Sequence, residues 1–254
     1  MTGRGQDAPA GTVDPAEVER FARLADRWWD PAGEFKPLHR LNPVRLAFIR
    51  DRLQRHFGRD PKSLAPFAGL RLLDIGCGGG LIAEPMARLG FTVTGIDADA
   101  AALATAGAHA AMTSLSIDYR AAAAEDLADE RERFDVVLAL EVVEHVADPG
   151  LFFAAAAALV RPGGALVAAT INRTMKAYLL AIVGAEMVLR WLPRGTHRWE
   201  KFLRPSELAA LVRAQDMDVK ELCGMVYEPA ADRWVLGGDL DTNYLLFATK
   251  APAK

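Results

Sequence analysis

Two short segments of this chain carry residues whose types and spacing could do chemistry. The first, Leu72–Gly80, is an apolar run that contains Asp74 and leads into four glycines. Glycine permits a sharp backbone turn and lets a ligand approach without a Cβ in the way. The pattern after the glycines is helical, so the segment predicts a strand, a tight turn and a helix N-terminus, the layout of a nucleotide-binding turn.

The sequence around this turn narrows the choice of ligand. A dinucleotide-binding turn reads Gly-x-Gly-x-x-Gly, but Leu81 stands at the third glycine position. Asp97 ends a second apolar run, where a carboxylate can accept hydrogen bonds from both hydroxyls of a ribose. S-adenosylmethionine (SAM) has no pyrophosphate to seat on a helix N-terminus, so it suits this looser turn with an acid nearby. A dehydrogenase site and a purely structural turn are the alternatives.

The second segment, Glu141-Val142-Val143-Glu144-His145, follows the fourth predicted strand directly. If a helical turn starts here, Glu141 faces Glu144 and His145 at three and four residues' distance. Two carboxylates and an imidazole could bind a divalent cation such as Mg²⁺ or Zn²⁺ and leave coordination sites open. His145 could instead act as a general base without a metal, or all three side chains could serve structure alone.

Alternating strands and helices must position these segments. An alternation of this kind predicts an α/β fold built on a parallel sheet. The 121–133 stretch is charged and is expected to be a loop, and Pro162–Gly164 is expected to turn the chain before the fifth strand. We predict strands near 70–75, 91–96, 117–120, 134–140, 165–170, 217–227 and 244–250, and helices near 80–89, 99–112, 150–160 and 205 onwards.

The first 68 residues predict a tail and two helices. Residues 1–13 are polar and rich in small residues, which predicts a disordered tail. A helix is expected from Asp14 towards Trp28 and Trp29, with Glu17 in a capping box. Residues 34–45 contain two prolines and are expected to be ordered only if they pack on another part of the chain, and a second helix is expected over 44–57. The rest of residues 14–250 is expected to form one domain with these helices.

Composition sets further limits. The chain has 254 residues, 51% of them hydrophobic, which is enough for one large domain. A net charge of -3 argues against a protein that coats nucleic acid. Two cysteines cannot form a disulfide framework, and with no apolar leader or long apolar window we expect a cytoplasmic protein.

Four motifs together resemble the class I SAM-dependent methyltransferases. They are Leu72–Gly80, Gly95–Asp97, Phe134–Leu140 and Arg161–Gly164. The resemblance implies a Rossmann-like fold with a seven-stranded, mostly parallel sheet, helices on both faces and an antiparallel last strand. It also implies SAM as the cofactor.

Other motifs narrow the resemblance to the ubiquinone-biosynthesis O-methyltransferases, and it covers nearly all of residues 14–247. The motifs are Arg27–Asp30, Gly33–Pro43, Gly184–Glu186, Pro193–His197 and Asp241–Tyr244. The family methylates phenolic hydroxyls of polyprenylated rings, so the implied substrates are 2-polyprenyl-6-hydroxyphenol and 3-demethylubiquinol. Methylation of another small phenol, or a non-catalytic SAM-binding scaffold, is the alternative.

The resemblance also implies roles for individual residues. Arg45, Gly76, Asp97 and Leu140 match the family's cofactor-binding positions, and Asp74 and Gly78 of the glycine turn join them. Arg45 would pair with the SAM carboxylate. Leu140 stands where a methionine is common. The family also favours divalent-metal binding by Glu141, Glu144 and His145, which would acidify a phenol whose pKa is otherwise about 10.

An inserted segment, residues 174–204, is expected to face a membrane or cap the substrate. Its first part, 175–191, predicts an apolar helix, and the segment carries six basic and two acidic residues, a local charge of +4. An apolar helix beside basic charge is typical of binding to anionic lipid. We therefore expect peripheral association with the inner face of the cell membrane, and other ubiquinone-biosynthesis proteins as partners.

Overall fold

An eight-stranded sheet organises the computed structural model, which describes residues 11–22, 24–178 and 199–253. The strands are β1 (Arg71–Ile75), β2 (Thr92–Asp97), β3 (Asp118–Ala121), β4 (Phe134–Leu140), β5 (Val160–Ile171), β6 (Met217–Glu228), β7 (Arg233–Gly237) and β8 (Asn243–Lys250). Their order across the sheet is β3-β2-β1-β4-β5-β8-β6-β7. The first five strands pair in parallel, whereas β8 is antiparallel to both β5 and β6. The predicted α/β architecture and antiparallel last strand are confirmed.

Helices cover both faces of this sheet. They are α1 (Pro15–Ala22), α2 (Lys36–His56), α3 (Ala83–Arg88), α4 (Ala100–Met112), α5 (Ala124–Asp129), α6 (Pro149–Leu159), α7 (Met175–Ala177) and α8 (Pro205–Arg213). Successive residues of β4 face two different hydrophobic clusters, one on each side of the sheet. Val137 belongs to the cluster with α6 and α8, and Val136 belongs to the cluster with α2 and α3. Strands buried on both faces read as continuous apolar runs, as β1 and β4 do.

The strand count differs from the expected seven because β6 and β7 form a hairpin. β7 is short and half-buried, and it pairs with β6 from Glu228↔Arg233 to Gly224↔Gly237. Asp232 makes the turn in a left-handed conformation, with φ of +47°. The segment was missed because an edge strand without a fully buried face leaves no strong apolar alternation.

The predicted turn at Pro162–Gly164 lies inside β5 as an irregularity. Gly163 has a φ of +78°, and the pairing with β4 shifts between Phe134↔Val160 and Val136↔Ala165. Extra residues on one strand are accommodated by a β-bulge, which bends the strand without ending it. The turn residues were identified correctly, but the conclusion that they precede the strand was wrong.

Three expectations for helices are corrected. The first helix ends at Ala22, before a 3₁₀ turn over Ala25–Arg27, and so does not reach Trp28. The helix α2 begins at Lys36 and not near Val44, since its first turn accepts Pro37 and the helix continues through Pro43. The stretch 121–133, which is expected to be a loop, contains α5. The first turn of this helix is capped by a hydrogen bond of 2.8 Å, which the Asp126 carboxylate accepts from the Ala123 amide.

Most of the predicted apolar helix over 175–191, and most of the insert, lies outside the described residues. On one side of that gap, Met175–Ala177 form a helical turn that Thr174 caps. On the other side, Phe202 is buried against Ile171 and Ala177. Among the described helices, none combines the length and apolar character needed to cross a bilayer.

Tyr244 offers a test of how the sheet is anchored. Its ring is fully buried, and its hydroxyl donates to the Leu203 carbonyl at 2.9 Å. We expect Tyr244→Phe to lower the free energy of unfolding by about 1 kcal/mol, because a buried acceptor loses its donor. Urea unfolding measures this. Tyr227→Phe, which removes an exposed hydrogen bond to Asp232, is the control, and an equal loss in both variants would contradict the expectation.

Candidate active site

The turn after β1 brings backbone close to side chains on both of its sides. Gly76 has a φ of +68°, and a Cβ there would lie 2.4 Å from Val142 Cγ2. Gly78 has a φ of +50°, and a Cβ there would lie 2.4 Å from the Trp28 ring. The Gly76 amide donates to the Ile96 carbonyl at 2.8 Å, which ties the turn to the end of β2. Glycine is therefore required at both positions.

Asp97, the last residue of β2, accepts a hydrogen bond from the glycine turn. Its Oδ2 accepts from the Gly78 amide at 2.8 Å, and its Oδ1 accepts from the Asp99 amide at 2.9 Å. Burial raises the pKa of this carboxyl, although those two amides oppose the rise. Gly78 and Asp97, which are both predicted to bind the cofactor, are thus joined by a hydrogen bond. The carboxylate of Asp97 has further lone pairs that can accept from a ligand.

Asp74, inside β1, is a buried acid with an unused acceptor. Its side-chain Oδ2 is shielded from solvent and has no hydrogen-bond partner. Burial, followed by the nearby charge of Asp97, raises the pKa of Asp74 to about 7. A carboxyl held in this way favours a cationic ligand, because a positive charge would restore its ionised form.

A cavity of about 270 Å³ lies at the carboxyl ends of β1, β2 and β4. In open α/β sheets, ligands bind at this edge. The cavity brings together the predicted site residues, except that Gly78 contributes through its bond to Asp97. Those that line it are Arg45, Asp74, Gly76, Asp97, Leu140, Glu141, Glu144 and His145.

Glu141 directly follows β4 in a left-handed conformation, with φ of +54°. Non-glycine residues pay about 1–2 kcal/mol for this region, so the side chain is kept there against a backbone cost. Its carboxylate accepts from the Arg45 guanidinium in an ion pair. Arg45 is buried and also donates to the Asn42 side chain at 3.3 Å. The predicted partner of Arg45, a ligand carboxylate, would therefore share it with Glu141.

Glu144 turns away from solvent into the sheet. It lies in a 3₁₀ turn, Val143–His145, and its Oε2 accepts from the Thr170 hydroxyl at 2.9 Å. Its Oε1 is buried and accepts no hydrogen bond from an N–H or O–H donor. Burial first, and then the charge of Glu141 beside it, raises the pKa of Glu144.

His145 faces the N-terminal segment of the chain. Its Nδ1 lies 2.9 Å from Glu17 Oε2, across 128 residues of sequence. Burial raises the pKa of Glu17, but the hydrogen bond and the charge of His145, with help from Arg20 and Lys201, outweigh it and lower the pKa overall. The local sequence predicts only a capping role for Glu17, because a contact across so many residues leaves no local pattern.

The three predicted metal ligands do not converge in this arrangement. Glu141 and Glu144 are neighbours, but Glu141 is paired with Arg45, and His145 is bonded to Glu17. Within the part of the chain that the structure describes, no three acids, histidines or cysteines are grouped so that they could hold a metal ion. The expected facing of Glu141 towards His145 fails because a left-handed residue precedes a 3₁₀ turn, and so no α-helical turn forms.

The segment before α1 closes one side of the cavity. Thr12 is buried, its amide donates to Glu125 Oε1 at 3.0 Å, and its carbonyl accepts from the Ala147 amide at 2.9 Å. Val13 and Asp14 line the cavity directly. Residues 11–13 were expected in a disordered tail, and their polar, glycine-containing sequence gives no sign of this packing.

Comparison with known proteins identifies the family of the chain. A methyltransferase-domain family model matches residues 39–222. The "Ubiquinone biosynthesis O-methyltransferase" of Chelativorans sp. (strain BNC1) is 54% identical over 248 residues, which cover 98% of each chain. The protein of the same name from Brucella ovis is 56% identical over 239 residues, covering 94% of this chain and 96% of its own.

Solved structures support the fold alone. Magnesium protoporphyrin IX methyltransferase from Synechocystis PCC 6803 with bound SAM has a TM-score of 0.60 at 16% identity, covering 97% of this chain and 100% of its own. The [4+2]-cyclase SpnF has a TM-score of 0.56 at 20% identity, covering 80% and 82%. A shared fold at such low sequence identity does not identify the reaction that a protein catalyses. The nearly full-length relatives do set the family, and the chain belongs to the ubiquinone biosynthesis O-methyltransferases.

Proposed function

We propose that this chain transfers the methyl group of SAM to a phenolic hydroxyl of 2-polyprenyl-6-hydroxyphenol and of 3-demethylubiquinol. Family membership supports the reaction class. The observation that carries the proposal is a single cavity lined by both the glycine-turn residues and the Glu141–His145 turn. A donor and an acceptor can meet there at the short separation and alignment that methyl transfer requires.

The cofactor side of the cavity fits SAM by its charge and polar groups. Gly76 and Asp97 both line the cavity, and the Asp97 carboxylate presents lone pairs to a ribose. The unpartnered Asp74 Oδ2 would accept from the ligand's ammonium group, and Leu140 would pack on the adenine. When bound, SAM supplies an electrophilic methyl group. The chain's own task is to hold it and exclude water.

The acceptor side would lie against Glu141 and His145. A phenol ionises near pH 10 in water, so its proton must be taken up by a nearby base. The Glu17 carboxylate accepts from His145 Nδ1, so the neutral imidazole carries its hydrogen there and Nε2 is the basic nitrogen of the ring, which we propose as the proton acceptor. Arg45 holds the Glu141 carboxylate at the same edge. We propose His145, Glu141 and Glu144 as the catalytic set.

A divalent metal fits part of this set. The carboxyls of Glu141 and Glu144 are neighbours, and Glu144 Oε1 is buried and accepts no hydrogen bond from a donor. Carboxylate oxygens are the ligands that Mg²⁺ prefers, and Zn²⁺ also binds them. His145 would complete the set only after leaving Glu17. A bound cation would lower the pKa of a phenol that coordinates it. We keep metal binding by Glu141, Glu144 and His145 as a proposal.

The substrates' isoprenoid chains place them in a membrane, so the enzyme must reach a bilayer surface. The basic, apolar insert over 174–204 is the proposed contact with anionic lipid at the inner face of the cell membrane. Its central part lies outside the described residues. The proposal therefore rests on the sequence, as does that of cytoplasmic location and of contact with other ubiquinone-biosynthesis proteins.

A methyl-transfer assay tests the proposed substrate. We expect a prenylated catechol to be methylated with a kcat/KM at least about tenfold above that of the same catechol without its chain, because the chain adds apolar contact. Equal turnover of both would favour a methyltransferase of other small phenols. SAM binding without transfer to any ring would favour a non-catalytic scaffold.

The pH dependence of SAM binding tests Asp74. Its pKa of about 7 in the free chain means that it is largely protonated below that pH. A bound cation would lower that pKa, so affinity should rise about tenfold from about pH 5.5 to about pH 7.5 and then level off. Calorimetry at several pH values measures this. Asp74→Asn should bind more weakly and lose the rise, and an unchanged rise in that variant would contradict the role.

A metal-removal experiment tests the carboxyl pair. We expect a chelator to lower the methylation rate, with Mg²⁺ or Zn²⁺ restoring it. Thermal unfolding gives a second readout, since either cation should raise the Tm of the unaltered chain but not of Glu144→Gln. If neither the methylation rate nor the Tm changes when chelator or cation is added, the metal is ruled out and His145 is left as the base.

A further inference from the structure

Trp29 holds the glycine turn from outside the cavity. Its indole Nε1 donates to the Gly79 carbonyl at 2.9 Å, across 50 residues of sequence. The ring stacks on the imidazole of His109 in α4, with centroids 3.5 Å apart and planes 4° from parallel. The indole is therefore fixed both along its N–H bond and across its face.

His109 is itself held by a buried acid. Its Nδ1 donates to Glu84 Oε1 at 2.6 Å, and the Glu84 side chain is fully buried in α3. The other carboxylate oxygen accepts from Arg88 at 3.1 Å and from the Thr113 hydroxyl at 3.3 Å. A buried carboxylate with this many donors has one favoured position, so it fixes the imidazole on which Trp29 rests.

Trp29 binds the turn at the residue after the one that reaches Asp97. The Gly78 amide donates to Asp97 Oδ2, and the Gly79 carbonyl accepts from Trp29 Nε1. Consecutive residues of the turn are thus hydrogen-bonded to Asp97 and to the indole. Glycine resists displacement least of all residues, so a turn of four glycines depends on such external bonds for its shape.

None of Trp29, His109 and Glu84 is among the residues that line the described cavity. We propose that Trp29, held by His109 and Glu84, is a positioning residue for SAM binding that keeps the Gly78–Gly79 backbone in the shape the cofactor requires. The proposal rests on the proposed function in taking SAM as the ligand. It assigns to this N-terminal tryptophan a role in cofactor affinity, with no contact to cofactor or acceptor.

The test removes one hydrogen bond and keeps the ring. Trp29→Phe retains an aromatic face for His109 but has no N–H for Gly79. We expect S-adenosylhomocysteine to bind about three- to tenfold more weakly by calorimetry, the range that one lost hydrogen bond gives. The KM for SAM should rise by the same factor, whereas kcat and the KM for the phenol should change by less than about twofold.

Two further variants separate positioning from general destabilisation. Trp234→Phe, on β7, is the matched control and should leave both KM values unchanged. His109→Gln keeps a donor for Glu84 but removes the flat ring under Trp29, and it should raise the KM for SAM in the same direction as Trp29→Phe.

Unchanged S-adenosylhomocysteine affinity in a folded Trp29→Phe would overturn the proposal. A loss shared equally by SAM, phenol and kcat would also overturn it, since that pattern marks a structural role alone. If the unaltered chain binds SAM but methylates no phenol, the proposed function fails while the positioning role is still decided by the binding measurements.

Discussion

The close approach of backbone and side chains at the turn after β1 is the constraint from which the rest of the site follows. Val142 lies against Gly76 and Trp28 lies against Gly78, so neither position has room for a Cβ. The parallel sheet brings the ends of β1, β2 and β4 to this one turn. The N-terminal extension then closes it from the other side, with Trp28 and Trp29 on the glycine backbone.

The second constraint is electrostatic. Asp74, Asp97 and Glu144 are removed from water around one cavity, and burial raises the pKa of each. Such a group is costly to keep ionised without a partner. Glu141 already forms an ion pair with Arg45. The remaining acids gain most from a ligand that brings positive charge, so binding of such a ligand would also stabilise the fold.

The sequence predicted those parts of the structure that depend on local patterns. Buried strands such as β4 carry continuous apolar runs, and Asp74, Asp97 and Glu141 follow from their places in or after such runs. What it could not predict depends on distant contacts. The pairing of Glu17 with His145, the burial of Thr12 and the hairpin strand β7 all depend on chain segments far apart or on half-buried surfaces, where local pattern is weak.

The helix α2 shows how tertiary packing overrides a local signal. Pro43 argues for a break, yet the helix continues through it because Leu41, Phe48 and Ile49 are buried against the sheet. That continuity places Asn42 and Arg45 on the cavity wall. A broken helix would not fix Arg45 beside Glu141, so the helix has to continue through Pro43 for this wall of the cavity to form.

The left-handed backbone of Glu141 has a consequence for how this chain could vary. Glycine would relieve the roughly 1–2 kcal/mol of backbone cost at this position. It would also leave the buried Arg45 guanidinium without its carboxylate, and removing one partner of a buried ion pair costs about 3–5 kcal/mol. The larger of these two costs keeps an acid in the left-handed position, so residues 45 and 141 can vary in this chain only together.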